Sequence, residues 1–120
     1  MQKEFNIDGI IYVPKEASTV GPKEQPYVLI RTFSAGVHVG YLKRQQSTLA
    51  GIEVTLIKSR RLWYWDGAAS LSQLAMEGVT QPDNCKFSVA VNEIELIAIE
   101  IIAVTEKAFL NIQSVKEWKK

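Results

Sequence analysis

The stretch from Ser59 to Gly78, SRRLWYWDGAASLSQLAMEG, passes from an extended run through a turn into a helix. Asp66-Gly67 is a turn dipeptide. Ser70-Leu71-Ser72-Gln73 has the form of a capping box, in which the Ser70 hydroxyl accepts from the Gln73 amide and the Gln73 side chain reaches back. Leu71, Leu74 and Ala75 make one apolar stripe, and Gly78 stands where the helix stops. In a strand, side chains alternate between faces. Arg61, Trp63 and Trp65 then share one face, and Arg60, Leu62 and Tyr64 the other.

Each face pairs a guanidinium with an aromatic ring, and one face belongs to the core; the sequence leaves open which. The free face suits a phosphorylated ligand that carries a base. A guanidinium holds phosphate oxygens through two parallel bonds, and a ring stacked on the base contributes about 1–3 kcal/mol. The competing reading is that the aromatics only pack, as aromatics do in cores.

The remaining segments predict a sheet around this stretch. Phe5 to Pro14 reads as a short hairpin about Asp8-Gly9, and Lys15 to Pro26 as a loop containing Gly21, Pro22 and Pro26. Tyr27 to Phe33 and Val37 to Leu42 are β-rich and joined by Ser34-Ala35-Gly36, a second hairpin. Gly40 inside a strand signals a bulge or a close approach. The polar run Lys43 to Gly51 reads as the next turn, and Ile52 to Lys58 as a strand leading into a further one. Val79 to Cys85 is a loop. Lys86 to Val91 alternates as a strand, Asn92-Glu93 is a break, and Ile94 to Val104 is a buried strand pair or one bent strand; periodicity alone leaves a helix open. Thr105 caps a last helix with Glu106 in its first turn, and Val115 and Trp118 dock the tail. The expected fold is α+β, a mainly antiparallel sheet with two short helices. It is a single ligand-binding domain over residues 1–120, with a hairpin and loop at 1–26 and the core at 27–120.

The net charge of +1 removes any global attraction to nucleic acid or membranes. Cys85 is the only cysteine, so no intramolecular disulfide forms and a reducing compartment is expected. No long apolar run follows Met1, and the apolar stretch at Ile94 to Val104 is interrupted by Glu95 and Glu100, so the expectation is a cytosolic, soluble protein. His38 is the only histidine, which rules out a histidine-centred metal site or a histidine pair within one chain. Nothing in the sequence brings His38 to Cys85, and a lone strand histidine reads as structural or as a hydrogen-bond donor. Glu95 and Glu100 read as solvent-facing or paired with Lys and Arg, ahead of the alternative that they are paired carboxylates. There is no P-loop and no dinucleotide-binding glycine pattern. A binder is expected rather than an enzyme, with no cofactor and no metal. Arg31-Thr32 beside the Ser34–Gly36 turn is a further anion candidate, since tight turns aim backbone amides at anions; the plain alternative is an ordinary hairpin. Asn92, Glu106 and Lys107 stand at element ends, where polar side chains face a site, cap or solvent.

The blocks RTFSAGVHVGYL and RRLWYWDGAASLSQLAMEGV, followed by CKFSVAV, IEII and TEKA, resemble a family of small phage proteins. The resemblance extends to the phage anti-Thoeris sponge, taken as a member of that family, which sequesters the immune signal glycocyclic ADP-ribose. The resemblance covers most of Tyr27 to Trp118. It implies a non-catalytic homo-oligomer, a dimer or hexamer, acting in the cytoplasm of the infected bacterial host. It further implies ligand pockets at subunit interfaces, and separate sites for cyclic dinucleotides or trinucleotides in some members. Carried to this chain, Arg60 and Arg61 contact phosphate, and Arg31 is a further ligand-binding candidate. Trp63, Trp65 or Phe87 stacks the adenine, and Ser34, Gly36, Asn92 and Lys107 hydrogen-bond ribose or phosphate. A sponge competing with a nanomolar receptor needs about −12 kcal/mol, which favours an enclosed pocket with several paired charges. The competing expectation is a phage protein-interaction or assembly module that uses the tryptophans as interface hot spots. A nucleic-acid binder and a nucleotide-cleaving enzyme are the remaining alternatives.

Overall fold

The computed structural model describes residues 25–119 and the backbone of Phe5–Ile7 and Ile10–Tyr12. Those two short strands, β1 (Phe5–Ile7) and β2 (Ile10–Tyr12), pair antiparallel with Phe5 opposite Tyr12, the hairpin expected around Asp8-Gly9. The loop read from Lys15 onward lies almost wholly outside the described residues. The elements that follow are β3 (Tyr27–Thr32), β4 (Val37–Thr48), β5 (Gly51–Tyr64), α1 (Leu71–Glu77), a 3-10 turn (Pro82–Asn84), β6 (Lys86–Phe87), β7 (Val91–Ala103) and α2 (Glu106–Ser114). The fold is α+β, as the sequence predicts.

The sheet is antiparallel, in the order β4–β3–β7–β5–β6, and β4 also pairs with β5. The pairing therefore runs from β4 to β3 to β7 to β5 and back to β4, so the four long strands close into a ring. The Ile-rich segment makes this possible as one continuous bent strand. β7 pairs with β5 from Val91 to Ala98 and with β3 from Ala98 to Ala103. Three expectations change. The polar run at Lys43 to Thr48 is strand, not turn, because, past an irregularity at Lys43, Arg44 to Thr48 pair residue by residue with the start of β5. The two strands read on either side of Ser59 are one. β6 ends at Phe87, and the break falls at residues 88–90 rather than at Asn92-Glu93.

Closing the sheet separates two apolar cores. Val28, Ile30, Leu42, Val54, Leu56, Leu96 and Ala98 come from all four ring strands and from no helix, so they fill the ring. Tyr27, Leu29, Val39, Leu62 and Phe87 pack outside it against Leu74 and Ala75 of α1 and Ala108 and Ile112 of α2. Burying each such leucine or phenylalanine stabilises the fold by about 1.5–3 kcal/mol.

The helices form where the sequence signals them. The Ser70 hydroxyl accepts from the Gln73 amide, and the Gln73 side chain reaches back one residue further than a standard box, accepting from the Ala69 amide at 2.8 Å. Gly78 ends α1 at φ 84°, where a Cβ would also strike the Asn111 side chain. Thr105 caps α2 by accepting from the Ala108 amide, and its hydroxyl donates to the Met76 carbonyl at 2.7 Å. Asn111 binds both the amide and the carbonyl of Val79 at 2.8 Å. These bonds lock α2 to the end of α1 and hold both helices over the outer face of the ring.

Candidate functional site

The path of β5 places the site. Lys58 and Ser59 together stand opposite Gly40 in the pairing with β4, a bulge, and Lys58 has φ 54°. A Cβ on Gly40 would sit 3.1 Å from the Ser59 Cα and 3.2 Å from the Ile57 carbonyl oxygen, so the glycine is what lets the bulge approach. The inserted residue shifts the alternation. Val54 and Leu56 point into the ring, and beyond the bulge the same face continues as Ser59, Arg61 and Trp63. These three line a cleft of about 270 Å³ at one mouth of the ring. His38 of β4, paired with Arg61, Val91 and Ile94 of β7, and Ser88 and Val89 of the link before β7 complete its wall.

Within the cleft the Arg61 guanidinium lies 5.2 Å from the centre of the Trp63 ring. Its backbone is pinned, since the Arg61 amide donates to the Ser88 hydroxyl and the Ser88 amide donates to the Arg61 carbonyl, each at 2.9 Å. Among the described residues, the ion pairs are Arg31–Glu100, Lys43–Glu93 and Lys119–Glu117, and no carboxylate pairs with Arg61. Trp63 is 57% exposed, an unusual position for an indole beside a charge.

The inner wall is polar and buried. His38 is 1% exposed, and its Nε2 donates to the Ala35 carbonyl at 2.9 Å. A carbonyl oxygen only accepts, so the proton is on Nε2, and Nδ1 is the ring's hydrogen-bond acceptor. Burial lowers the His38 pKa below its ordinary value, the Ala35 bond opposes this, and the nearby Arg61 charge lowers it further. Ser59 is 2% exposed, and its hydroxyl has no hydrogen-bond partner among the described residues. The cleft thus combines a fixed cation, an accessible flat ring, a neutral acceptor and an unpaired hydroxyl.

Of the residues expected to bind the ligand, Arg61 and Trp63 meet here; the others do not line the cleft. Arg60 is 6% exposed on the opposite face. Its Nε donates to the Ser88 carbonyl, Nη1 to that of Ile112, and Nη2 to those of Val115 and Phe87, at 2.8–3.4 Å. Its donors are spent on the end of α2 and on β6, which corrects its expected phosphate contact. Phe87 is fully buried against the Arg60 guanidinium, 5.5 Å from the ring centre, and is not open to a base. Trp65 lies past the end of β5 and packs on the helix-side core, where the β5–β6 register has shifted between Leu62 and Tyr64. Arg31 pairs with Glu100 at 2.7 Å on the outside of the ring. Ser34 and Gly36 form the β3–β4 turn, but the Ala35 amide between them donates to the Thr32 hydroxyl, so that amide is not free for an anion. Asn92 and Lys107 are exposed, at the start of β7 and in the first turn of α2. Cys85 belongs to the helix-side core and His38 to the cleft, so the two do not form a pair. Among the described residues no group of His, Cys, Asp or Glu side chains is placed to hold a metal ion.

His38, Ser59, Ser88, Val89, Val91 and Ile94 were not among the expected site residues. The signal that leads to the first two is Gly40, the strand glycine that marks the bulge.

Fold and site together define a small α+β protein with a cation–aromatic cleft at the mouth of a closed four-strand ring. The chain belongs to the family described as a domain of unknown function, DUF6948, whose model matches residues 25–112. No curated protein and no solved structure matches it.

Proposed function

We propose that the chain is a phage anti-defence sponge. It binds a cyclic ADP-ribose-type immune signal at the Arg61–Trp63 cleft and holds it without cleaving it, lowering the free signal that drives Thoeris-type defence in the host cytoplasm. Some cyclic oligonucleotide signals belong to the same ligand class. The observation that carries this reading is the Arg61 guanidinium, set against an exposed indole and paired with no carboxylate among the described residues. A phosphate accepts the charge and a purine covers the ring.

At about 270 Å³ the cleft is smaller than the roughly 300–1,000 Å³ typical of pockets that enclose a whole small molecule. It takes one base and one phosphate, and a second copy of the chain closes over the rest of the ligand. Among the described residues no helix is long and apolar enough to cross a membrane.

Titration calorimetry with glycocyclic ADP-ribose, other cyclic ADP-ribose isomers and cyclic oligonucleotides tests the reading. Stoichiometric binding is expected, with intact ligand recovered after heat denaturation and a dimer or hexamer by light scattering. No heat with any of these ligands, or recovery of cleaved product, discards it. The exposure of Phe33 in the turn that His38 holds, together with that of Trp63, supports a second reading, a protein-interaction or assembly module. In that case a pull-down captures a defined phage or host protein, and loss of capture follows Trp63→Ala.

A further inference from the structure

Two polar groups in the cleft wall have no task in the fold that explains their chemistry. The Ser59 hydroxyl is buried and unpartnered among the described residues, although leaving such a group unpaired is costly. His38 uses Nε2 to hold the Ala35 carbonyl, which leaves Nδ1 with a lone pair and no donor among the described residues. Both residues line the same cleft as Arg61 and Trp63. They are also close to each other in the fold, because Ser59 lies against Gly40, two positions along β4 from His38.

Taking the cleft as a nucleotide site, we infer that His38 and Ser59 read the edge of the ligand's base and select a purine with an exocyclic amine over one with an oxo group. The tautomer decides the direction. His38 Nδ1 accepts a hydrogen bond and cannot donate one. An exocyclic amine donates and stands off the ring edge, so it reaches a nitrogen set back in the wall. An exocyclic oxygen at the same place brings two lone pairs together. Ser59 is permissive, because a hydroxyl turns to donate or accept, and it supplies the hydrogen for the ring nitrogen beside the amine. Arg61 on β5 is the charged group beside His38, and Ile30, its partner on β3, brings no charge. The imidazole therefore stays an acceptor while the cation next to it holds the anion.

The test compares one cyclic ligand in two forms, with adenine and with hypoxanthine as its base, by calorimetry on the full chain. The wild-type protein is expected to prefer the adenine form by about tenfold or more, the cost of one mispaired buried polar group. Two substitutions separate selectivity from structure. In His38→Gln the side-chain amide nitrogen stands where Nε2 stood and keeps the bond to Ala35, but the acceptor at Nδ1 is lost; the preference collapses towards parity. In His38→Asn the side-chain oxygen replaces Nδ1 and the Ala35 bond is lost; the preference survives in a less stable protein. Equal wild-type affinity for the two forms, or full preference retained in His38→Gln, overturns the inference and leaves the nucleotide reading standing. Binding of neither form overturns both.

Discussion

Arg60 and Arg61 are adjacent in the chain and serve opposite faces of one strand. Arg60 is buried, giving its hydrogens to the carbonyls of Phe87, Ser88, Ile112 and Val115, while Arg61 faces the cleft over Trp63. Substituting each by alanine is expected to separate stability from binding. Arg60→Ala leaves buried carbonyls unpaired at the end of α2 and lowers stability by about 2–4 kcal/mol. Arg61→Ala leaves the melting temperature near wild type and weakens a phosphorylated ligand by about 1.5–3 kcal/mol, the value of a charge-assisted bond. Denaturant melts and calorimetry on the two variants measure both quantities. Equal stability losses would refute the division.

Trp63 offers a second readout. Its indole is exposed while Trp65 packs on the core, so ligand stacking should alter Trp63 emission and leave that of Trp65 unchanged. In a chain carrying Trp65→Phe and Trp118→Phe, saturation with the cyclic nucleotide is expected to quench or shift the remaining fluorescence. Trp63→Ala should weaken binding by about 1–3 kcal/mol without a change in fold by circular dichroism. Unaltered fluorescence at saturation, with binding confirmed by calorimetry, would place the base elsewhere.

How much of this was legible depends on how local each cause is. The Ser70 cap, the Gly78 stop and the Thr105 cap are written within a few residues, and each forms as read. The polar run Lys43–Thr48 misleads because this end of β4 is largely exposed, so no buried face imposes an apolar alternation there. Which of Arg60 and Arg61 faces the cleft depends on the bulge at Lys58, which only pairing with β4 produces; its one trace in the sequence is Gly40. Phe87 in KFSVAV alternates like any half-exposed strand residue. It is buried because the chain tail closes over it, with the Trp118 amide donating to the Phe87 carbonyl at 2.8 Å. That contact spans too much sequence for a local pattern to report.

A side chain at Gly40 should be costly. Its Cβ position is hemmed in by backbone, the Ser59 Cα and the Ile57 carbonyl oxygen, rather than by a flexible side chain that can swing aside. Gly40→Ala is expected to cost about 1–3 kcal/mol, the range for forcing extra volume into a packed site. Because the strain falls on the segment that carries Ser59, ligand affinity should fall as well. Gly36→Ala provides a contrast. It has open space around its Cβ, and its penalty comes only from a φ of 87°. Unchanged affinity in a folded Gly40→Ala chain would mean that the bulge does not govern the cleft.

His38 predicts how stability follows pH. Its folded pKa lies below the ordinary value of about 6.5, because burial disfavours the imidazolium and Arg61 adds to this. Below about pH 6.5 the unfolded chain therefore binds more protons than the folded one. The neutral histidine's contribution to stability is fully present above that pH and is lost as the pH falls towards the folded value. No other histidine competes in this window. Melting temperatures are thus expected to decline from about pH 7 to about pH 5, above the range where most carboxylates titrate. His38→Gln, which keeps the bond to Ala35 and carries no titrating group, should flatten that slope. Parallel slopes for variant and wild type would show that folding does not lower the His38 pKa.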